Sequence, residues 1–233
     1  MPWVPTCADR RMSRFPDPRT APGDEPLAYG GDLRIDTLCE AYRRGIFPWP
    51  GDSGIIWWWS PDPRAVIPIG GLHVSRSLRR TLHAGRLRCT SDTAFDAVVA
   101  ACAHRPGEGT WITAAMRAAY AELHRAGRAH SIEVWDDGGR VVGGLYGVTV
   151  GRVFCGESMF HRVTDASKVA MVAAMRVLSV GRYDLFDVQL PTAHLRSMGA
   201  VDMTRSAYLD LLGAGLPQPA RWDPAAAESS MLG

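Results

Sequence analysis

Two short segments carry the polar side chains whose types and spacing could do chemistry. One reads Gly-Glu-Ser-Met-Phe over residues 156–160, and Asp187-Val188-Gln189 follows about thirty positions later. Residues two apart on a strand point to the same face, so we predict that Asp187 and Gln189 share a face and that Val188 points the opposite way. A carboxylate beside an amide that both accepts and donates hydrogen bonds suits the handling of an amine nucleophile at a carbonyl. On spacing alone, a structural role for these groups is the alternative.

The composition narrows the class of protein. The chain has 233 residues, enough for one large domain or for a small domain and a medium one, and 46% of them are hydrophobic. No apolar run is long enough to span a bilayer and no secretory signal is recognisable, so we expect a cytoplasmic protein. The five cysteines are odd in number and lack zinc-site spacing, which favours a reduced, metal-free chain. Nothing indicates obligate assembly, so we expect a monomer.

The elements that must position these residues fall into two groups. Ser-Pro-Asp-Pro over residues 60–63 interrupts regular structure, and we place a domain boundary there. Residues 1–63 are then a small N-terminal domain with an aromatic loop over 46–51. Residues 64–233 form a second domain whose Pro/Ala/Ser-rich tail, from about residue 217, is expected to be frayed.

The second domain is predicted to be an α/β sandwich with a mixed sheet. From about residue 93 the pattern reads α-α-β-β-β-α-β-α, and its consecutive hairpins interrupt the alternation that a doubly wound sheet requires. This order resembles the GNAT-like architecture of acetyltransferases. The Arg/Gln-x-x-Gly-x-Gly/Ala loop with which such enzymes hold the coenzyme A pyrophosphate is missing from the sequence, which argues against an acetyl-CoA enzyme.

A cluster of arginines indicates a surface for phosphates. If residues 75–83 form a helix capped by Ser75, then Arg76, Arg79, Arg80 and His83 recur at i, i+3, i+4 and i+7 on one face. Arg86 follows directly. Such a surface would track a nucleic-acid backbone without reading its sequence. A solvated face of an amphipathic helix is the alternative.

Taken together, the motifs resemble those of the leucyl/phenylalanyl-tRNA–protein transferases. The resemblance covers roughly residues 15–213 and rests on many short stretches in the same order. They include Gly30-Gly31-Asp32-Leu33, Tyr42-Arg43-Arg44-Gly45-Ile46-Phe47-Pro48-Trp49, Trp58-Trp59-Ser60-Pro61-Asp62-Pro63-Arg64, Thr110-Trp111-Ile112, His130-Ser131-Ile132-Glu133, Gly143-Gly144-Leu145-Tyr146-Gly147, the 156–160 and 187–189 segments, and Thr192-Ala193-His194-Leu195.

The resemblance implies an activity and its partners. Enzymes of this family take Leu or Phe, and less well Met, from aminoacyl-tRNA and attach it to the N-terminal Arg or Lys of a protein. The product is marked for degradation by the N-end rule pathway. The family has a small N-terminal domain and a GNAT-like catalytic domain and needs neither a metal nor a cofactor.

The resemblance also implies roles for individual residues. Glu157 should hold the ammonium group of the donor amino acid, and Asp187 and Gln189 should lie against the attacking amine, with a base role for either left as a hypothesis. Phe186 stands where the family more often has Ile or Leu, which would bias the pocket toward Leu. The pocket for the aminoacyl side chain and terminal adenosine should be formed by Trp49, Trp111, Leu145, Phe154, Gly156, Met159 and Phe186, and tRNA binding should involve Arg76, Arg79, Arg80 and Arg86.

Two other functions fit part of the sequence. A coenzyme A-dependent N-acetyltransferase would share the fold but lacks its pyrophosphate loop here. A non-catalytic RNA-binding module would keep the arginine surface but have no need for Glu157, Asp187 and Gln189 together.

Overall fold

The computed structural model describes residues 14–51, 54–104, 110–218 and 220–228. A small antiparallel sheet comes first along the chain. Its strands β1 (Ala28–Tyr29), β2 (Phe47–Pro50) and β3 (Ile56–Trp59) lie in the order β1-β3-β2, and helix α1 (Ile35–Arg43) connects β1 to β2.

The aromatic segment predicted as a loop over residues 46–51 is largely a strand, so that prediction is wrong. Phe47–Pro50 is β2, paired with β3 from Phe47↔Trp59 to Pro50↔Ile56. Its two prolines, Pro48 and Pro50, cannot donate to a ladder, and an edge strand tolerates that because only one of its sides is paired. β2 is such an edge strand in the order β1-β3-β2.

The second sheet has seven strands in the order β10-β4-β9-β8-β7-β6-β5. Adjacent strands of this sheet are antiparallel, except for β8 and β9, which are parallel. The strands are β4 (Arg64–Pro68), β5 (Arg88–Ser91), β6 (Ala129–Trp135), β7 (Val141–Val150), β8 (Val153–His161), β9 (Leu185–Gln189) and β10 (Val201–Met203).

Helices cover both faces of this sheet. They are α2 (Arg76–His83), α3 (Phe95–Ala103), α4 (Ala114–Arg125), α5 (Ala166–Val180), α6 (Ala193–Ser197), α7 (Arg205–Gly215) and α8 (Ala225–Glu228). One apolar cluster joins the sheet to α1, α3, α4 and α7, and a second joins it to α2, α5 and α8. Helix α5 is the crossover that the parallel pair β8–β9 requires. The predicted fold class, a small N-terminal part followed by a GNAT-like mixed sheet, is confirmed.

The two sheets share a core. Tyr42 of α1 and Trp58 of β3 belong to the same apolar cluster as Tyr146 and Val148 of the large sheet. The chain passes from one sheet to the other between Trp59 and Arg64, where the sequence predicted a boundary. That residues 1–63 and 64–233 are separate domains stays a prediction.

The expectation of a frayed tail from about residue 217 is wrong for the described residues 220–228. Ala226 and Ala227 of α8 are buried. The Trp222 ring stacks on His130 with 4.5 Å between centroids, and its Nε1 donates to Ser91 Oγ at 2.9 Å. A single tryptophan and two small residues are enough to fix this segment, although its composition is that of a loop.

The described residues contain no helix long and apolar enough to cross a membrane. They also contain no group of three or more His, Cys, Asp or Glu side chains arranged to hold a metal ion.

Candidate active site

A cleft opens where two parallel strands separate. β8 and β9 pair only from Val153↔Leu185 to Cys155↔Asp187, after which β8 continues along β7 and β9 ends. The wedge between them opens into a cavity of about 1170 Å³. Both polar segments singled out in the sequence border this wedge, because residues 156–160 directly follow the last shared pair and residues 187–189 begin in it. The fold therefore brings them together.

A β-bulge at Glu157 sets the direction of this side chain. On β7, Tyr146 pairs with Ser158 and the next residue, Gly147, pairs with Gly156, which leaves Glu157 as an extra residue on β8. A Cβ at Gly147 would lie 2.2 Å from the Cys155 carbonyl oxygen, so only glycine fits opposite the bulge. A bulge re-aims side chains and shifts the alternation of the strand beyond it.

The Glu157 carboxyl lies in an unusual environment. Its Oε2 accepts a hydrogen bond from the Tyr120 hydroxyl at 2.6 Å, and that hydroxyl lies 2.9 Å from the hydroxyl of Tyr42. Its Oε1 is buried and has no hydrogen-bond partner among the described residues. Burial raises the pKa of Glu157 to about 7, although the two tyrosine hydroxyls favour the charged form. A buried carboxylate with an unoccupied oxygen is suited to bind a cation.

Asp187 is fully occupied by partners within the chain. Its carboxylate receives two hydrogen bonds from Arg64, at 2.9 Å from Nε and 2.7 Å from Nη2, and one from the Tyr208 hydroxyl at 2.8 Å. The backbone N–H of Gln189 donates to it at 3.0 Å. Both Arg64 and Asp187 are buried, and Asp187 does not line the cleft. The ion pair therefore fixes the end of β9 rather than offering a free base.

The backbone of Gln189 does not have the extended conformation that the sequence predicted. Its φ is +57°, in the left-handed region, and it lines the cleft together with Val188. The prediction that Asp187 and Gln189 share a face with Val188 opposite them is therefore wrong. The alternation of a strand holds only while the backbone stays extended, and it ends at this residue.

Apolar side chains form the inner wall of the cleft. Of the predicted pocket residues, Leu145, Gly156, Met159 and Phe186 line it. A Cβ at Gly156 would lie 2.4 Å from the Phe186 ring, so glycine allows that ring its position. Phe154 does not line the cleft, because it is buried behind Phe186 with 5.3 Å between ring centroids.

Two tryptophans stand at the side of the cleft nearest the small sheet. Trp49 of β2 and Trp111 stack with 5.2 Å between centroids and 21° between planes. Both line the cleft, and Trp49 is 38% exposed. Stacked indoles in the wall of a cleft are suited to hold a base or another flat group.

The predicted arginine helix forms and lies outside the cleft. Ser75 caps α2 by accepting from the Leu78 N–H, and Leu78 is buried beneath it. The cationic side chains of α2, Arg76, Arg79 and Arg80, are exposed to solvent. Arg86, which lies beyond the end of the helix, is exposed as well. Thr81 of the same helix bonds Asp165 at 3.0 Å, and Asp165 lines the cleft, so the arginine surface adjoins it.

The contacts of Tyr120 and Arg64 at the site could not be predicted from the sequence. Tyr120 lies in the apolar stripe of α4 with Met116 and Leu123, and that pattern predicts a core position; nothing in it shows that the hydroxyl reaches Glu157. Arg64 lies at the start of a strand after a proline and gives no sign of its partner Asp187, 123 positions away. Long-range pairs of this kind depend on the strand order.

Two family models match the chain: the leucyl/phenylalanyl-tRNA protein transferase over residues 66–213 and its N-terminal domain over residues 31–62. The chain therefore belongs to the leucyl/phenylalanyl-tRNA protein transferase family and is an aminoacyltransferase that moves an aminoacyl group from tRNA to proteins.

Relatives that carry this name are similar over most of their length. The transferase of Oleidesulfovibrio alaskensis is 51% identical over 214 residues, which is 89% of this chain and 86% of the relative. That of Methylococcus capsulatus is 52% identical over 209 residues, or 88% of each chain. The solved structure of L-PGS from Bacillus licheniformis overlaps 72% of this chain and 54% of its own, at 12% identity and a TM-score of 0.36.

Proposed function

We propose that the protein transfers Leu or Phe, and less well Met, from aminoacyl-tRNA to the N-terminal Arg or Lys of acceptor proteins. In the cytoplasm this would mark the acceptors for degradation by the N-end rule pathway. The observation that carries the proposal is the buried oxygen of Glu157 that has no partner among the described residues, in a cleft that is also lined by the apolar side chains of Leu145, Met159 and Phe186.

The apolar wall supports the donor preference. Leu145, Met159 and Phe186 would surround the side chain of the amino acid. An apolar pocket separates side chains by only ~1–3 kcal/mol per methylene, so Met is accepted but less well. A charged or polar side chain would lose its hydration there without a partner.

Glu157 supports recognition of the donor as an aminoacyl ester. Its unoccupied oxygen would accept from the α-ammonium of the bound amino acid, and that positive charge would hold the carboxyl in its ionised form. The terminal adenine would stack on the Trp49–Trp111 pair, a contact of ~1–3 kcal/mol per base. The ester carbonyl would then lie between Glu157 and Gln189.

The reaction needs alignment more than activation. The acceptor's α-amine attacks the ester carbonyl carbon, a C–N bond forms, and the C–O bond to the ribose breaks. The proton lost by the amine goes to the departing ribose oxygen, which leaves as a hydroxyl group. Gln189 would orient the amine by accepting one of its N–H groups, and Asp187, held by Arg64, would position Gln189 through its backbone N–H. Positioning of this kind is worth ~7–11 kcal/mol.

The acceptor rule rests on the family resemblance. Glu157 and Asp165 are the acidic residues that line the cleft among those described. Glu157 would already be occupied by the donor ammonium, and Asp165 is paired with Lys168 at 2.9 Å. The basic end of the acceptor is therefore left to a partner other than these two carboxyl groups.

The exposed arginines would hold the body of the tRNA. Arg76, Arg79, Arg80 and Arg86 are solvated and carry no base-reading geometry, which suits contact with phosphates. Tight binding that weakens steeply with salt is expected.

The test is transfer of labelled Leu from Leu-tRNA to peptides that begin with Arg, Lys or Ala, without added cofactor. Label on the Arg and Lys peptides and none on the Ala peptide is expected. If no label moves while charged tRNA still binds, the protein is an RNA-binding module and the proposal fails.

A further inference from the structure

One end of the cleft is lined by an unusual concentration of basic side chains. His161 ends β8 and Arg162 follows it, Lys168 lies in the first turn of α5, and His194 lies in α6. None of these residues is used by the donor, amine or acceptor contacts described above. Asp165 is the one acidic residue that lines this end among those described.

Lys168 has capacity for a further ligand. Its Nζ donates to Asp165 Oδ1 at 2.9 Å, and its side chain is 33% exposed. An ammonium group has three donors. The ion pair with Asp165 therefore holds the lysine at the wall of the cleft and leaves donors for a ligand.

Arg162 is held in a similar way. Its Nη1 donates to the Val141 carbonyl at 3.0 Å, and its guanidinium lies 5.6 Å from the centroid of the Phe160 ring. These two contacts leave several of its five donors for a ligand. Phe160 also lines the cleft, so the guanidinium stands at its edge.

The pKa of His194 indicates that these basic groups lie close together. Burial lowers its pKa, and the charges of Lys168 and His161 lower it further. Positive groups that repel one another at a cleft edge are stabilised together when an anion binds among them.

The position of the cluster indicates which anion. Asp165 bonds Thr81 of α2 with one oxygen and Lys168 with the other, so the corner between α2 and α5 joins the arginine surface to this end of the cleft. This corner offers a polyanionic strand a path from the arginines of α2 toward Glu157. The anion that such a strand would bring to the basic cluster is a backbone phosphate.

We propose that Lys168, with Arg162 and His194, binds the phosphodiester that joins the last two nucleotides of the donor tRNA. The proposal rests on the function proposed above and adds a binding site to it. Fixing this phosphate would determine the depth at which the terminal adenosine and its ester enter the cleft.

The test measures binding of two unreactive donor analogues by calorimetry. One is adenosine with Leu joined through an amide at its 3′ position, and the other carries an additional 5′-linked cytidylate, which adds a single phosphodiester. The wild-type protein is expected to bind the second analogue about tenfold more tightly, as for a charge-assisted contact. Lys168→Met should remove this difference while leaving the first analogue's affinity unchanged, and Lys168→Arg should restore it.

A matched control separates this effect from loss of any ion-paired cation. Arg152 pairs with Asp184 at 2.6 Å at the opposite end of β8, and Arg152→Met should leave the tenfold difference intact. Equal affinity of the wild type for both analogues, or equal weakening of both by Lys168→Met, would overturn the phosphate site while the proposed function stands. If the wild type binds neither analogue, the donor site itself is absent and both proposals fail.

Discussion

Glu157 shows how burial changes what a single carboxyl group can do. It lies beside two tyrosine hydroxyls in the wedge between β8 and β9, and burial raises its pKa to about 7. In the unfolded chain its pKa would be near the ordinary value of 4.5. The folded protein thus holds the proton more tightly, so ionising the group above pH 4.5 costs stability.

The first prediction concerns the pH dependence of stability. The loss of stability caused by ionising Glu157 is absent below about pH 4.5, grows as the pH rises, and is complete above about pH 7. A neutral amide avoids it, so Glu157→Gln should raise the free energy of unfolding by about 3 kcal/mol at pH 8 and by nothing at pH 4. Denaturant titrations at the two pH values measure this. Asp136, whose pKa is lowered by its hydrogen bonds from Arg140, is the control, because Asp136→Asn should give no gain at pH 8.

The second prediction concerns Gly156. Adding a methyl group there places it 2.4 Å from Phe186, so the ring must move, and the apolar pocket narrows. Gly156→Ala should raise the KM for Phe-tRNA more than the KM for Leu-tRNA, because the larger side chain loses more room. Gly213 in α7 has nothing within 4 Å of an added Cβ, and Gly213→Ala should change neither KM. Equal changes for both donors in Gly156→Ala would contradict the pocket assignment.

At the scale of elements, the site is made by strands that stop pairing. Val153–Cys155 hold β9 in register, and from Gly156 onward β8 follows β7 instead. The strands themselves were predictable, because Leu185–Gln189 and Val141–Val150 have the lengths that their β-branched and apolar runs suggest. The bulge at Glu157 and the left-handed Gln189 were not, since both break the alternation on which such predictions depend.

The third prediction separates positioning from contact at the end of β9. Asp187→Asn leaves Arg64 buried without its charged partner and should cost roughly 3–5 kcal/mol of stability. It should also lower kcat with little change in the KM for the donor, because Arg64 Nη2 and the Tyr208 hydroxyl lose the oxygen to which they donate and the end of β9 that carries Gln189 is no longer fixed. Gln189→Ala should lower kcat by a similar factor while changing stability by less than about 1 kcal/mol. Near-normal kcat in both variants, measured with thermal unfolding alongside, would remove Gln189 from the mechanism.

At the scale of the whole molecule, the large sheet lies between two apolar cores, and the tail supports the cleft from behind. Trp222 lies 5.1 Å from Phe154, and Phe154 lies 5.3 Å from Phe186, which lines the cleft. Composition alone predicted a frayed tail, because a Pro- and Ala-rich segment shows no periodicity. The anchoring depends on surfaces from β5, β6 and β8 that exist only in the folded chain.

The fourth prediction tests this support. Trp222→Ala removes a half-buried ring and its hydrogen bond to Ser91, so it should lower the free energy of unfolding by about 2 kcal/mol. Because Phe154 and Phe186 then gain freedom, the KM for both donors should rise. The neighbouring exposed residue gives the control, and Arg221→Ala should change neither quantity. An unchanged KM in a destabilised Trp222→Ala would limit the tail to stability.

Binding of the donor's ammonium group by Glu157 underlies the function proposed for this cleft. It can be measured as the Kd of tRNA esterified with Leu and of tRNA esterified with the α-hydroxy analogue of Leu, for the wild type and for Glu157→Gln, at pH 7. The wild type should bind the amino ester about tenfold more tightly, as expected for a charged hydrogen bond, and the variant should bind both alike. If the wild type does not distinguish the two esters, or if the variant keeps the full preference, Glu157 does not bind the ammonium group.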